Sequence, residues 1–99
     1  MTYETTWGTP IGQDCISLDT VLCRWLGERL LFMGKHTSSI PFAWTTEGWR
    51  AALRKHGHAL IAWANHFTND LTPEEEKVAY AEAQDAMRWV AEYLGHLWD

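Results

Sequence analysis

The sequence predicts an all-α fold, a compact three-helix bundle with an extended N-terminal arm over residues 1–16. Three segments repeat apolar residues at steps of three and four, which is the period of one helix face. No segment alternates apolar and polar residues convincingly, and no Asn-Gly or Asp-Gly turn joins two such runs. The 99 residues provide for a single domain that spans positions 1–99.

The first predicted helix covers about residues 18–33. Ser17 suits its N-cap and Gly34 suits its C-terminal cap. Apolar side chains extend almost around its circumference, so we expect it to be the most buried of the three helices. Gly27 lies in its interior, where glycine costs about 1 kcal/mol relative to alanine. A partner helix that passes close to Gly27 would explain that glycine.

The second predicted helix covers about residues 46–67, after a connection in which Ser, Gly and Pro interrupt the helical pattern. Its expected inward stripe consists of Trp49, Ala52, Leu53, His56, Leu60, Trp63, Ala64 and Phe67. His56 lies on this stripe and is expected to be a hydrogen-bonded core histidine. Trp63→Ala is expected to cost about 3–5 kcal/mol of stability if the indole is fully buried.

The third predicted helix covers about residues 73–97 and has the clearest start. Thr72 suits the N-cap, Pro73 the first helical position, and Glu75 the glutamate of a capping box. Its expected inward stripe consists of Tyr80, Ala83, Met87, Val90, Leu94 and Leu97.

Negative charge is concentrated in the third helix. The chain has 13 acidic and 8 basic residues, a formal charge of −5. From Asp70 onward eight acids accompany only Lys77 and Arg88. Acids at a helix N-terminus are favoured by the dipole, which accounts for Glu74 to Glu76. The acidic balance argues against an electrostatically driven nucleic-acid binder, so we expect no direct contact with nucleic acid.

A second ridge on the third helix, beside its inward stripe, carries the candidate partner-binding site. The ridge consists of Val78, Glu82, Asp85, Trp89, Tyr93 and His96, which follow one another at steps of four and three. The candidate site residues are Glu82, Asp85, Trp89, Glu92 and Tyr93. Large aromatic side chains supply contact area, and the acids would select a basic counterpart. The alternative is that Trp89 and Tyr93 pack beneath the N-terminal arm or beneath the connection at residues 34–45.

No pattern for catalysis or metal binding stands out. His56 and His58 are two residues apart and point to opposite sides of a helix, whereas metal ligands need a spacing of three or four. We therefore expect no enzymatic activity, no metal and no cofactor. Cys15 and Cys23 lack a C-x-x-C spacing and are expected to be reduced thiols in a cytoplasmic protein. No apolar stretch is long enough for a membrane span, and no membrane contact is expected.

These features together predict a small acidic interaction module that binds and blocks or modulates a larger macromolecular machine. Its partner would be a protein with a basic surface, with a nucleic-acid-binding complex as one candidate. In size, charge and absence of motifs the chain resembles phage accessory proteins that inhibit host defence, of which anti-CRISPR proteins are the best known. That resemblance implies carboxylates at Glu82, Asp85 and Glu92 that imitate phosphates.

Two alternatives remain open at this point, and the oligomeric state is either monomer or homodimer. A self-assembling structural oligomer would pair Trp89 and Tyr93 with their own copies about a twofold axis. A binder of a small ligand or cofactor would instead use the aromatic-lined interior of the bundle.

Overall fold

The computed structural model describes residues 17–98. Three helices, α1 (Leu18–His36), α2 (Thr46–Ala64) and α3 (Pro73–Glu92), are followed by one turn of 3₁₀ helix at Leu94–His96. The three-helix, all-α prediction is confirmed, and this described part contains no strand. The predicted arm at residues 1–16 lies outside the described residues. None of the three helices combines the length and the apolar character needed to cross a bilayer.

α2 is the central helix, because both α1 and α3 pack against it. Its Trp49, Leu53 and Leu60 are fully buried. The expectation that the first helix would be the most buried is therefore wrong. α1 contacts only α2 extensively, so the side of α1 that faces away from α2 stays uncovered, and Trp25 and Phe32 are exposed there.

Glycines bring α1 and α2 into close contact. A Cβ atom added to Gly27 would lie 3.0 Å from the backbone oxygen of Gly57, and one added to Gly57 would lie 3.0 Å from that of Gly27. The expectation that a partner helix passes close to Gly27 is confirmed. Two backbones can approach this closely only where neither residue carries a side chain.

The predicted start of α1 is confirmed, with Ser17 at the N-cap position, but the predicted C-terminal cap at Gly34 is wrong. Gly34 is buried against Arg54, whose Nη1 donates a hydrogen bond of 2.7 Å to the Gly34 carbonyl oxygen. The helix therefore continues past Gly34 to His36. At the other end the Ser17 side chain makes no capping hydrogen bond. The Thr20 hydroxyl instead donates to the Ser17 carbonyl oxygen over 2.9 Å.

α2 begins as predicted and ends three residues early. The Thr45 hydroxyl accepts a hydrogen bond of 2.9 Å from the Gly48 amide. After Ala64 the chain turns over residues 65–70 and reaches a positive φ of 50° at Asp70. Phe67, expected on the inward stripe, lies in this turn and is exposed.

α3 has the capping box that its sequence predicts. The Thr72 hydroxyl accepts from the Glu75 amide at 3.1 Å, and a Glu75 carboxylate oxygen accepts from the Thr72 amide at 3.0 Å. The helix ends at Glu92 rather than at 97, where the 3₁₀ turn containing Gly95 takes over. Leu94, expected to face inward, is consequently exposed.

Candidate partner-binding surface

The structure divides the five candidate residues of α3 into two groups. Glu82, Asp85 and Glu92 are exposed to solvent, whereas Trp89 and Tyr93 are half-buried. The ridge is thus an acidic rim beside a ring cluster that belongs partly to the core. Only the carboxylates are wholly available to a partner.

Trp89 and Tyr93 belong to an intramolecular aromatic cluster. The Trp89 ring lies 5.2 Å from that of Trp49 and 5.1 Å from that of Tyr93, measured between centroids. Tyr93 also meets Trp44 edge-on at 5.7 Å. Because Trp44 comes from the connection between α1 and α2, Tyr93 packs against that connection, as the alternative interpretation predicted, whereas Trp89 packs on α2. This packing fixes α3 against α2 and leaves less ring surface for binding.

The acidic rim carries little internal charge compensation. Arg88 donates to Asp85 over 2.5 Å, and both side chains are 70% exposed. This is the one ion pair among residues 17–98, and a surface pair of this kind contributes at most about 1 kcal/mol. Glu82 and Glu92 have no ionic partner in the described part of the chain, so their negative charge faces solvent.

A cleft of about 500 Å³ separates the rim from α2. Its residues are Lys55, His56, His58, Ala59 and Ala62 on α2, with Glu82 and Asp85 on α3. Acidic groups therefore line the α3 side of the cleft, and groups that can carry positive charge line the α2 side. The two sides of the cleft thus differ in the sign of the charge that they can carry.

His56 forms the inner part of this cleft. Its imidazole stacks on the Trp89 indole at 4.5 Å, with the ring planes 24° apart. The ring is half-buried and stacked, rather than the hydrogen-bonded core histidine that was expected. Burial lowers the pKa of His56 below its usual 6.5, and Lys55 lowers it further, while Asp85 acts in the opposite direction.

Trp63 differs from the expectation because its indole is only half-buried. Its Nε1 donates a hydrogen bond of 3.1 Å to a carboxylate oxygen of Asp19, and its ring stacks on His66 at 3.8 Å. The predicted loss of about 3–5 kcal/mol required the indole to be fully buried. Trp49, rather than Trp63, is fully buried.

The remaining reactive groups do not assemble into a second site. Cys23 is buried with a free thiol, and burial, followed by the nearby Asp19, raises its pKa. A thiol with a raised pKa is a poor nucleophile. Residues 17–98 contain no group of three or more His, Cys, Asp or Glu side chains arranged to hold a metal ion. Cys15 lies outside the described residues.

Comparisons with models of protein families, with curated proteins and with solved structures find no match. The interpretation of the surface therefore depends on its own geometry.

Sequence reasoning missed two features of this surface. Trp44 packs edge-on against Tyr93, a contact between residues far apart in sequence that no local spacing indicates. The second feature is a row of exposed apolar residues along α1. Leu18, Leu22 and Trp25 follow one another at steps of four and three, but apolar side chains extend almost around α1, so this period alone could not show which face is exposed.

Proposed function

We propose that this protein is a small interaction module that binds a larger partner through the acidic face of α3. The acidic face consists of Glu74, Glu75, Glu82, Asp85 and Glu92. One observation supports this proposal above all. All five carboxylates are exposed, and Asp85 alone among them has an ionic partner in residues 17–98.

The positions of these acids along α3 support one continuous binding surface. At about 100° per residue they fall within a sector of roughly 100°. The two bases of the helix, Lys77 and Arg88, occupy the adjoining sector. Segregation of charge around one helix gives a directional field, which steers a basic surface towards the acids and disfavours an acidic one.

The aromatic cluster supports the proposal through rigidity rather than through contact area. Trp89 and Tyr93 hold the C-terminal half of α3 against Trp49 of α2. Glu82, Asp85 and Glu92 therefore project from a helix whose position is fixed by packing. A preorganised surface loses less conformational entropy on binding than a mobile one.

The more specific proposal is that binding inhibits the partner. A partner whose basic surface normally receives nucleic acid would be blocked by carboxylates that occupy the positions of phosphates. Support comes from the exposed carboxylates on one face and from the formal charge of −5. A phage-type inhibitor of a host defence system would act in this way.

Charge reversal on the rim tests the proposal. The Glu82→Lys/Asp85→Lys variant, immobilised and exposed to lysate of the source cell, should retain the partner at least about tenfold less than the unmodified protein. Quantitative mass spectrometry of the retained proteins gives the comparison. Retention by the unmodified protein should also fall as salt concentration rises.

The matched control is Glu47→Lys/Glu76→Lys, which changes the net charge equally. Glu47 is exposed in the first turn of α2, and Glu76 is exposed on α3 outside the acidic face. This control should retain the partner like the unmodified protein, and circular dichroism should show all three proteins folded. Equal retention by the rim variant and the control would exclude the acidic face as the binding surface.

A further inference from the structure

α1 has a second apolar face that the bundle does not cover. We call it the outward face, and its residues are Leu18, Val21, Leu22, Trp25 and Phe32. Their side chains are 54%, 38%, 46%, 45% and 65% exposed, respectively. The buried residues of α1, among them Cys23, Gly27 and Leu30, lie on the opposite side of the helix against α2.

The spacing of the outward face is that of a coiled-coil seam. Leu18, Leu22, Trp25, Arg29 and Phe32 follow one another at steps of four, three, four and three. Such a heptad row allows two helices to pack side by side along their length. Among residues 17–98 no helix packs along this seam, which runs from Leu18 to Phe32, although Leu22 at one edge borders a cleft shared with α3.

We propose that the outward face of α1 pairs with the same face of a second copy of this chain, with the two helices antiparallel. Half-exposed side chains of this size each offer about 100 Å², so the five together offer about 500 Å² per copy. The resulting total of about 1,000 Å² is at the lower end of specific interfaces. The dimer is therefore reversible and concentration-dependent.

The position of Arg29 near the middle of α1 favours the antiparallel orientation. Arg29 lies within the seam, with its guanidinium 4.2 Å from the centroid of the Trp25 ring. Parallel pairing in register would bring Arg29 against its own copy. Antiparallel pairing with full overlap of the two helices offsets the two Arg29 residues by about 6 Å along the axis and sets each one level with Trp25 of the second copy, where a guanidinium can lie on an indole. The two Glu28 residues approach each other only at the edge of this interface, where solvent and salt screen their charges.

Sedimentation equilibrium of the full chain tests the dimer. The weight-average mass should rise from one chain towards two as the concentration increases through the micromolar range. Leu22→Glu/Phe32→Glu should remain monomeric at all these concentrations, because residue 22 of one copy lies level with residue 32 of the other and the new carboxylates would face each other. An unmodified chain that remains monomeric throughout would overturn the proposal and leave the face to another occupant.

The control for these substitutions is Phe42→Glu/Phe67→Glu. Phe42 and Phe67 are 99% and 77% exposed and lie outside α1, so this variant adds the same charge and removes two exposed rings. It should dimerise like the unmodified chain. Equal dimerisation of the α1 variant and the control would place the interface elsewhere and overturn the proposal.

A charged pair tests the orientation. Trp25→Lys alone should weaken the dimer at least about tenfold, because it places an ammonium level with Arg29 of the second copy. Adding Arg29→Glu should recover most of that loss, because opposite charges then face each other across the seam. In a parallel dimer the same double variant would bring like charges together at both positions and weaken association further. That outcome would overturn antiparallel pairing.

Discussion

α2 meets its two neighbours in different ways. Towards α1 the contact is backbone on backbone, with Gly27 facing Gly57. Towards α3 the contact consists of rings, with Trp49 between Trp89 and Tyr93. The glycine contact leaves no room for added atoms, whereas the ring contact depends on atoms already present. The two sides of one helix should therefore respond oppositely to larger and to smaller side chains.

The largest effect is expected from truncation on the ring side. Trp49 is fully buried and contacts rings from α3 and from the connection before α2. Trp49→Ala should lower the free energy of unfolding by about 3–5 kcal/mol, because it removes buried surface and leaves a cavity. Urea unfolding followed by circular dichroism measures this loss.

Trp49→Phe refines the same test. The Trp49 indole Nε1 is buried without a hydrogen-bond partner in residues 17–98. Phenylalanine keeps a ring and removes a donor whose burial without a partner costs about 1–3 kcal/mol. The loss of stability should therefore be less than half that of Trp49→Ala. Equal losses for the two variants would show that ring packing at Trp49 is not what joins α2 to α3.

A smaller effect is expected from enlargement on the glycine side. Gly57→Ala would place a Cβ atom 3.0 Å from the Gly27 carbonyl oxygen and 3.0 Å from Leu31. Such overpacking should lower the free energy of unfolding by about 1–3 kcal/mol. Thermal and urea unfolding of the variant would measure the change.

Gly95→Ala is the control for that substitution. A Cβ atom at Gly95 has no neighbour within 4 Å, so the substitution should be neutral or stabilising by up to about 1 kcal/mol. A Gly57→Ala variant as stable as Gly95→Ala would mean that α1 and α2 separate without cost, contrary to the close contact described above.

The smallest effect concerns pH and the ring side of α2. The pKa of His56 is lowered in the folded chain, chiefly by burial. The unfolded state therefore binds the proton more readily, and stability should be full above pH 6.5 and decline as the pH falls below it. Lys55 strengthens this trend and Asp85 weakens it. Urea unfolding between pH 5 and pH 8, a range set by ordinary histidine titration, would measure the decline.

His56→Phe should flatten that dependence, since it keeps a ring on Trp89 without a titrating group. His58→Phe serves as the control, because His58 is exposed on the same helix. The pH dependence of His56→Phe should be the flatter of the two. An unchanged slope in His56→Phe would assign the decline to another group.

Much of the fold follows from local sequence signals. The start of α3 was predicted because Thr72 and Glu75 are close in sequence, so their reciprocal hydrogen bonds depend on local geometry alone. The end of α1 was predicted wrongly, because the role of Gly34 depends on Arg54, twenty residues away. A glycine that ends a helix and a glycine that admits a neighbouring helix look alike in a single sequence.

The candidate site likewise combines features that depend on local sequence with features that depend on distant residues. Exposure of Glu82 and Asp85 follows from their charge and from their position beside the inward stripe. The partial burial of Tyr93 depends on Trp44, which approaches from a connection without periodicity, and that of Trp89 depends on Trp49 and His56 of α2. The sequence alone allowed these rings either to be exposed for binding or to pack within the protein. Tertiary contacts determine how far each ring is buried.

The aromatic cluster also has an optical consequence. Trp44 and Trp89 flank Trp49 with ring centroids 5.3 Å and 5.2 Å away, and the rings of each pair are held at fixed mutual angles. Indole transitions at such separations couple electronically, which gives circular dichroism bands distinct from those of the helical backbone. The attachment of α3 to α2 can therefore be followed by its own spectrum, independently of whether the helices themselves are formed.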